Sequence, residues 1–323
     1  MTDWLEKPVL LTGATGFIGS RLHPRLREEG LTVRSGSRTP ERARRKHPRR
    51  EWVELDLERS ESLPKALEGC GSAIFLVHQM RGGQGYRERE RRGARSFLRA
   101  AERAGVQRVV YLGGIEPAGP PSEHLASRLE VGRILRSGAL STVELRAAMI
   151  IGSESASWQI VRDLAARLPV MILPRWTRSR SQPVDISDVV EALLGALRMP
   201  IGESASFDIP GPEILTVEEI LEKTARLTGL DTRSFPVPLL SPRLSSYWLR
   251  FVTQADLYMA RELIEGLKTD LIARGDELWE RIGHLRRSTF EEAARRALEE
   301  SPPPPIVARA YETLVRRLWP FEP

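Results

Sequence analysis

The sequence predicts an α/β protein built on a doubly wound parallel sheet, with a smaller, mainly helical C-terminal lobe. Three observations carry this reading: short β-branched or apolar runs alternate with longer amphipathic stretches up to about Gly152, a glycine-rich turn follows the first run, and beyond Gly152 the rhythm loosens and prolines become frequent. The runs are Val9 to Thr12, Thr32 to Ser35, Trp52 to Glu54, Ala73 to Val77, Val109 to Leu112 and Val143 to Arg146. Right-handed crossovers leave few other topologies for them. Between the fourth and fifth runs, Ala94, Phe97, Leu98, Ala101 and Ala104 recur at helical spacing, and Gly105 offers a left-handed C-cap. A further helix is expected over Glu123 to Ser137, with Leu125, Leu129 and Leu135 inward and Gly138 after it. Pro24 resists the pattern: inside the first helix it should clash with the carbonyl of Ser20 and kink the turn.

In the second part, Pro183 to Ile186 and Ser206 to Ile209 read as strands, and Thr216 with Glu219 forms a capping-box start for a helix that Gly229 ends. Ser301 to Pro305 must be extended, and Val307, Ala310, Tyr311, Leu314, Val315, Leu318 and Trp319 follow at helical spacing. That apolar face is expected to dock on the protein's own body. A homodimer or other partner contact, or a membrane surface, is the alternative.

Composition narrows the classes. With 323 residues, 41% of them hydrophobic, and 25 glycines, the chain can bury a core, and fibrous or wholly disordered readings fall away. Its longest apolar stretches, such as Ala147 to Ile151 and Leu168 to Leu173, are far shorter than the roughly 20 residues that span a bilayer. Met1 to Pro8, carrying Asp3, Glu6 and Lys7, lacks the layout of a secretory signal, so a cytoplasmic location is expected. A single cysteine, Cys70, provides neither a disulfide nor a thiolate cluster; His23, His47 and His284 have no histidine partner one turn away, so no metal site is expected. The net charge is +6, with both signs interleaved, and the dense block Arg42 to Arg50 (RARRKHPRR) lacks interleaved aromatics. It reads as a solvated helix end, and no nucleic-acid partner is expected. No G-x-S-x-G elbow for acyl transfer is present.

The sharpest local signal is Leu11 to Gly19 (LTGATGFIG), a strand breaking into a G-x-x-G-x-x-G turn and then a helix. Gly13 permits the tight turn, Gly16 lets backbone approach a pyrophosphate, and Gly19 lets the helix sit close to the strand. With Thr15, Phe17 and Ile18 they form an expected cradle in which phosphates meet the open N–H groups at the positive end of the helix. A site for NAD usually places a carboxylate at the end of the second strand to hold the ribose 2′-hydroxyl. Here that segment reads Val33-Arg34-Ser35-Gly36-Ser37-Arg38 and holds none. Arg38, with Ser37 beside it and Arg42 one helical turn on, suits a 2′-phosphate, so NADP(H) is the expected cofactor. Asp56, followed by Leu57, is a candidate acceptor for the adenine amino group; its plainer role is a helix cap.

These pieces resemble the atypical and extended short-chain dehydrogenase/reductases, the group that includes NmrA-like and NAD-dependent epimerase/dehydratase-like proteins. The resemblance rests on LLTGATGFIG (10–19), GSR (36–38), LDL (55–57), FLVH (75–78), RVVYLGGI (108–115), EVGRILRSG (130–138), ELRAAMIIG (144–152) and QPVDISDVV (182–190), and covers about two thirds of the chain. It implies a Rossmann domain over 1–152 that binds the dinucleotide, and a lobe over 153–300, sharing some sheet elements with it, that closes over a small-molecule substrate. Residues 301–323 then form the Pro-rich spacer and terminal helix. It also implies that Val77 and His78, after the fourth strand, and Ala148 and Met149, after the sixth, line the nicotinamide end.

The sequence departs from that family where its usual members place a Tyr-x-x-x-Lys pair and an upstream Ser. The pair's positions read His124-Leu125-Ala126-Ser127-Arg128, and the Ser position falls in Gly113-Gly114. Tyr111 lies within a strand and Lys65 is remote. His124, with an ordinary pKa of about 6.5, is a candidate general acid, and Arg128, one turn on, a candidate holder of the cofactor. The plainer reading is a solvated histidine and a surface arginine. Glu90 in YRERERR reads as a surface charge, Asp185 and Asp188 as structural residues at the lobe junction, and Ser245 to Leu267 as either core or an apolar pocket wall. The function expected is an NADP(H)-binding oxidoreductase that moves a hydride to or from a small carbonyl or hydroxyl compound. A non-catalytic NADP(H)-responsive protein and a nucleotide-sugar epimerase are the alternatives.

Overall fold

The computed structural model describes residues 3–78, 85–167, 170–230, 233–237, 269–303, 312–314 and 317. The first part runs α1 (Asp3–Glu6), β1 (Val9–Leu11), α2 (Phe17–Glu28), β2 (Val33–Ser37), α3 (Pro40–Lys46), β3 (Glu51–Glu54), α4 (Leu63–Leu67), β4 (Ser72–Phe75), α5 (Tyr86–Arg103), β5 (Arg108–Gly114), α6 (Glu123–Arg136) and β6 (Ser141–Ala147). It continues through β7 (Ile150–Ile151), α7 (Ala156–Arg167), β8 (Val170–Pro174), β9 (Arg180–Ser181), β10 (Val184–Asp185), α8 (Ile186–Arg198), β11 (Ala205–Asp208), β12 (Leu215–Thr216), α9 (Val217–Leu227), β13 (Arg233–Val237), α10 (Glu277–Arg281) and α11 (Phe290–Glu299). The expected segment Ser245 to Leu267 lies outside the described residues. So does most of the expected terminal helix, of which 312–314 and 317 are helical; there Glu312 accepts a hydrogen bond from Arg167 of α7 at 3.1 Å.

Seven parallel strands form the central sheet in the order β11-β6-β5-β4-β1-β2-β3. Six are the runs read from the sequence. The seventh, β11, comes from the second part of the chain and pairs with β6 from Ala205↔Val143 to Asp208↔Arg146. Side chains alternate across the strands. Val9 and Leu11 pack with Leu22 and Leu26 of α2 and Leu193 and Leu197 of α8 on one face. Leu10 packs with Leu63 and Leu67 of α4, Phe97 of α5 and Leu135 of α6 on the other.

The expected kink at Pro24 does not interrupt α2, which continues to Glu28 because Leu22 and Leu26 on either side are fully buried against the sheet. Gly105 and Gly229 follow α5 and α9 with φ of +73° and +79°, and Thr216 with Glu219 closes a full capping box. Arg108 fastens β5 to the C-terminus of α8. It is 1% exposed, donates to the carbonyls of Ala196 (3.1 Å), Met199 (3.1 Å) and Pro200 (2.7 Å), and its guanidinium stands 5.7 Å from the Trp4 ring centre. Carbonyls at a helix end have no intrahelical donor, and a buried cation supplies one. Arg108→Met is therefore expected to lower the urea unfolding free energy by about 2–3 kcal/mol. A change under about 0.5 kcal/mol would contradict this role.

Candidate functional site

At the carboxyl ends of β1 and β4 the chain leaves the sheet toward opposite faces, α2 packing on one and α5 on the other. That divergence opens a crevice, the usual ligand position in such sheets. Here it widens to a cavity of about 1100 Å³. Apart from Arg42, the residues singled out from the sequence as its cofactor and catalytic candidates line this cavity.

The glycine turn forms its first wall. Thr12 donates its amide to the Ile74 carbonyl at 3.0 Å and accepts from the Leu76 amide at 2.9 Å, so the turn starts pinned to β4. Gly13 has φ +64°, and a Cβ there would lie 3.2 Å from the Leu76 carbonyl oxygen. A Cβ on Gly19 would lie 2.4 Å from the Gly13 oxygen. Gly16 caps α2 in an extended conformation, and no side chain accepts a hydrogen bond from that cap. Thr15, Phe17 and Ile18 complete the wall. A cradle with no room for a Cβ and with open first-turn amides fits a diphosphate.

Along the β2–β3 side, Ser37 accepts from the Thr39 amide at 3.2 Å and Arg38 projects exposed from the cavity rim. Arg42, its expected helper, does not line the cavity. Asp56 is used locally, accepting from the Glu58 amide at 3.0 Å and pairing with Arg59 at 3.4 Å, while it and Leu57 still face the cavity. Most of the basic block is solvated as expected, with Arg44 and Arg45 exposed. Among its arginines Arg50 is the exception: half-buried, it donates to the Ala14 carbonyl within the glycine turn at 3.4 Å. Nothing in RARRKHPRR distinguishes it from its neighbours.

The opposite end holds a chain of three side chains. Arg128 donates through Nε to His124 Nε2 at 3.0 Å, and its Nη1 lies 3.1 Å from His78 Nε2. A guanidinium has no acceptor, so each imidazole must accept through Nε2 and carry its proton on Nδ1. Burial, reinforced by the Arg128 charge, pushes the His124 pKa down to about 2. Burial, then Arg128 and His124, holds His78 well below the ordinary histidine value. This corrects the expectation of an imidazole titrating near neutrality: both rings are neutral, and both are half-buried rather than solvated. The Nδ1 of His124 is buried with no hydrogen-bond partner.

Arg128 is itself held from below. Its carbonyl accepts from the Tyr111 hydroxyl at 3.0 Å, and the next residue back, Ser127, donates to Glu90. Glu90 is 5% exposed, so the surface-charge reading is overturned; it stands near enough to favour the Arg128 charge. Val77, Ala148 and Met149 line the cavity around this group. Asp185 caps α8 by accepting from the Ser187 amide at 2.6 Å and pairs with Arg296, while Asp188 accepts from the Ser288 amide at 2.9 Å and meets His284 Nε2 at 2.8 Å. Both tie α8 to the segment around α11. Among the described residues, no cluster of His, Cys, Asp and Glu could hold a metal ion, and no helix is long and apolar enough to cross a membrane.

Comparison with known proteins agrees with this geometry. Residues 13–165 match a family model described as NAD(P)H-binding. The chain is 25% identical over 267 residues to a putative dihydroflavonol 4-reductase of Synechocystis, covering 74% of this chain and 77% of that one. Its fold is similar to triphenylmethane reductase from Citrobacter, solved with NADP(H), at a TM-score of 0.73 and 16% identity over 90% of this chain and 99% of that one. It is similar also to UDP-glucose 4-epimerase of Thermotoga maritima, at a TM-score of 0.69 and 18% identity over 90% and 97% of the two chains.

The neutral imidazoles tie stability to acid. Unfolded, His124 takes up a proton near pH 6.5; folded, it resists until about 2. Between those values the unfolded chain binds more protons, so the contribution is fully present above the unfolded pKa and is lost progressively as pH falls below it. The melting temperature is expected to drop between about pH 7.5 and about pH 5, and to drop less in His124→Gln, whose amide can still accept from Arg128. Parallel curves for the two proteins would contradict a buried neutral ring.

Proposed function

We propose, from the premise that residues 13–165 match an NAD(P)H-binding family, that the protein is an NADP(H)-dependent oxidoreductase of the short-chain dehydrogenase/reductase type acting on a small carbonyl or hydroxyl compound. The observation that carries the proposal is one cavity that joins the β2–β3 side, with Arg38 and Asp56, and the glycine cradle after β1 to the His78–Arg128–His124 chain. In this reading 1–152 holds the nucleotide and 153–300 closes over the substrate. The nicotinamide, when bound, supplies or accepts the hydride.

The chain's own residues then divide the remaining work. Gly13, Thr15, Gly16, Phe17, Ile18 and Gly19 receive the diphosphate; Ser37 and Arg38 receive the 2′-phosphate; Asp56 and Leu57 meet the adenine edge; Val77, His78, Ala148 and Met149 line the pyridine end. His124 offers its Nδ1–H to the substrate oxygen as a neutral electrophile. Arg128, fixed across the same ring at Nε2, stabilises the negative charge left on the imidazole as that proton moves. Two alternatives keep some support. The missing Tyr-x-x-x-Lys pair favours a non-catalytic NADP(H)-responsive protein, and the fold likeness to an epimerase allows nucleotide-sugar chemistry.

Calorimetry is expected to show NADPH binding at least about tenfold tighter than NADH, with the preference lost in Arg38→Ala. Equal affinities in the unmodified protein would remove the 2′-phosphate assignment. His124→Gln should lower turnover about a hundredfold while leaving NADPH affinity within about twofold. Because neither ring changes charge there, turnover of the unmodified protein should show no histidine-like step between about pH 5.5 and about pH 8. A step near the ordinary histidine pKa, or full turnover in the variant, would exclude His124 as the electrophile.

A further inference from the structure

We infer that the substrate received at this site is an uncharged, largely apolar carbonyl or hydroxyl compound with a second hydrogen-bonding group, which the buried hydroxyl of Ser181 takes. The inference rests on the nucleotide-binding reading above and assigns the part of the cavity which that reading leaves open. That part is walled by Met149 after β6, by Ile160, Val161 and Leu164 on α7, and by Val217 and Leu221 on α9. The α7 residues fall one helical turn apart or adjacent, as do those on α9, so each helix turns a continuous apolar stripe to the cavity. The two helices pack through Trp158, Val161, Ile220 and Leu221, which fixes both stripes.

The polar side chains on this side include the exposed Glu154, ahead of α7, and three serines. Ser155 and Ser157 bond to each other at 3.0 Å. Ser181 differs: it is 2% exposed, it lines the cavity, and its Oγ has no partner among the described residues. A buried hydroxyl without a partner is costly, and a ligand that bonds it removes the cost. Among the described residues that line the cavity, the other buried side-chain polar atom without a partner is His124 Nδ1. Two separated polar points across an apolar wall describe a substrate with the same pattern.

Charge counts against a different class, the nucleotide sugars. Among the described residues the cations lining the cavity are Arg38, on the rim after β2, and Arg128, held between two imidazoles. A nucleoside-diphosphate sugar bound beside the cofactor would bring a second diphosphate to a wall of Ile, Val and Leu with no cation of its own, where phosphate oxygens need charged donors.

The test is calorimetric binding to the protein saturated with NADPH, using benzylacetone, its para-hydroxy derivative and UDP-glucose as probes. The para-hydroxy ketone is expected to bind at least about fivefold tighter than benzylacetone, and Ser181→Ala to abolish the difference. Leu164→Arg is expected to weaken both ketones about tenfold with NADPH affinity unchanged, which also shows that the variant is folded. UDP-glucose should bind at least about a hundredfold more weakly than either ketone. Binding of UDP-glucose as tight as the ketones, absence of ketone binding, or a preference that survives Ser181→Ala would overturn the inference. If NADPH binds and the ketones do not, only this inference falls; if NADPH does not bind, it falls together with the nucleotide reading.

Discussion

A guanidinium can only donate hydrogen bonds, and in this protein that rule decides the state of the two histidines that line the cavity. Arg128 reaches the Nε2 atoms of His124 and His78 at 3.0 and 3.1 Å, so both rings must be neutral and protonated on the far nitrogen. An imidazolium at either position would set donor against donor and cation against cation. What the site offers is therefore a fixed dipole rather than a titrating acid. Where the short-chain dehydrogenase/reductases that the sequence resembles place a Tyr-x-x-x-Lys pair, this chain sets an imidazole beside a guanidinium, with the proton on the atom that faces away from the cation.

Each feature of the fold that positions this group also keeps it rigid. Ser122 accepts from the Leu125 amide at 3.3 Å to start α6, which places His124 and Arg128 one turn apart on one face. His78 arrives from the end of β4, and Tyr111 from β5 holds both the Arg128 carbonyl and the edge of the His78 ring, with ring centres 6.1 Å apart. Behind them Arg108 secures β5 to α8. The crevice exists because consecutive helices leave opposite faces of the sheet. Its polar groups are divided between the glycine turn, which supplies positive amides after β1, and Arg128, whose guanidinium donates to two imidazoles with the Glu90 carboxylate near it.

Much of this could be read in the sequence, and the reasons for the rest are physical. Local rules identified the glycine turn, the C-caps at Gly105 and Gly229 and the capping box at Thr216, since each depends on residues within a few positions. The sequence allows the second lobe some sheet elements shared with the first domain but does not show that Ser206 to Ile209 supplies the seventh strand, because parallel pairing over a long crossover leaves no local mark. The approach of His78 to Arg128, 50 residues apart, had no signal at all. Glu90 did have one. Tyr86, Glu90, Ala94, Phe97 and Ala101 form one buried stripe of α5, so spacing placed the carboxylate inward, while the charge of YRERERR suggested otherwise. At Pro24 the local rule does not decide the element's length: α2 runs through it to Glu28, with Leu22 and Leu26 buried on either side.

The interaction on which this account depends can be observed without substrate or cofactor. Nitrogen-15 NMR of histidine-labelled protein, with rings assigned through His78→Gln and His124→Gln, reports which imidazole nitrogen carries the proton. The account predicts both rings protonated on Nδ1 and bare on Nε2, with signals unchanged from about pH 8 to about pH 5. A ring protonated on Nε2, or one that titrates near the ordinary histidine value, would contradict it.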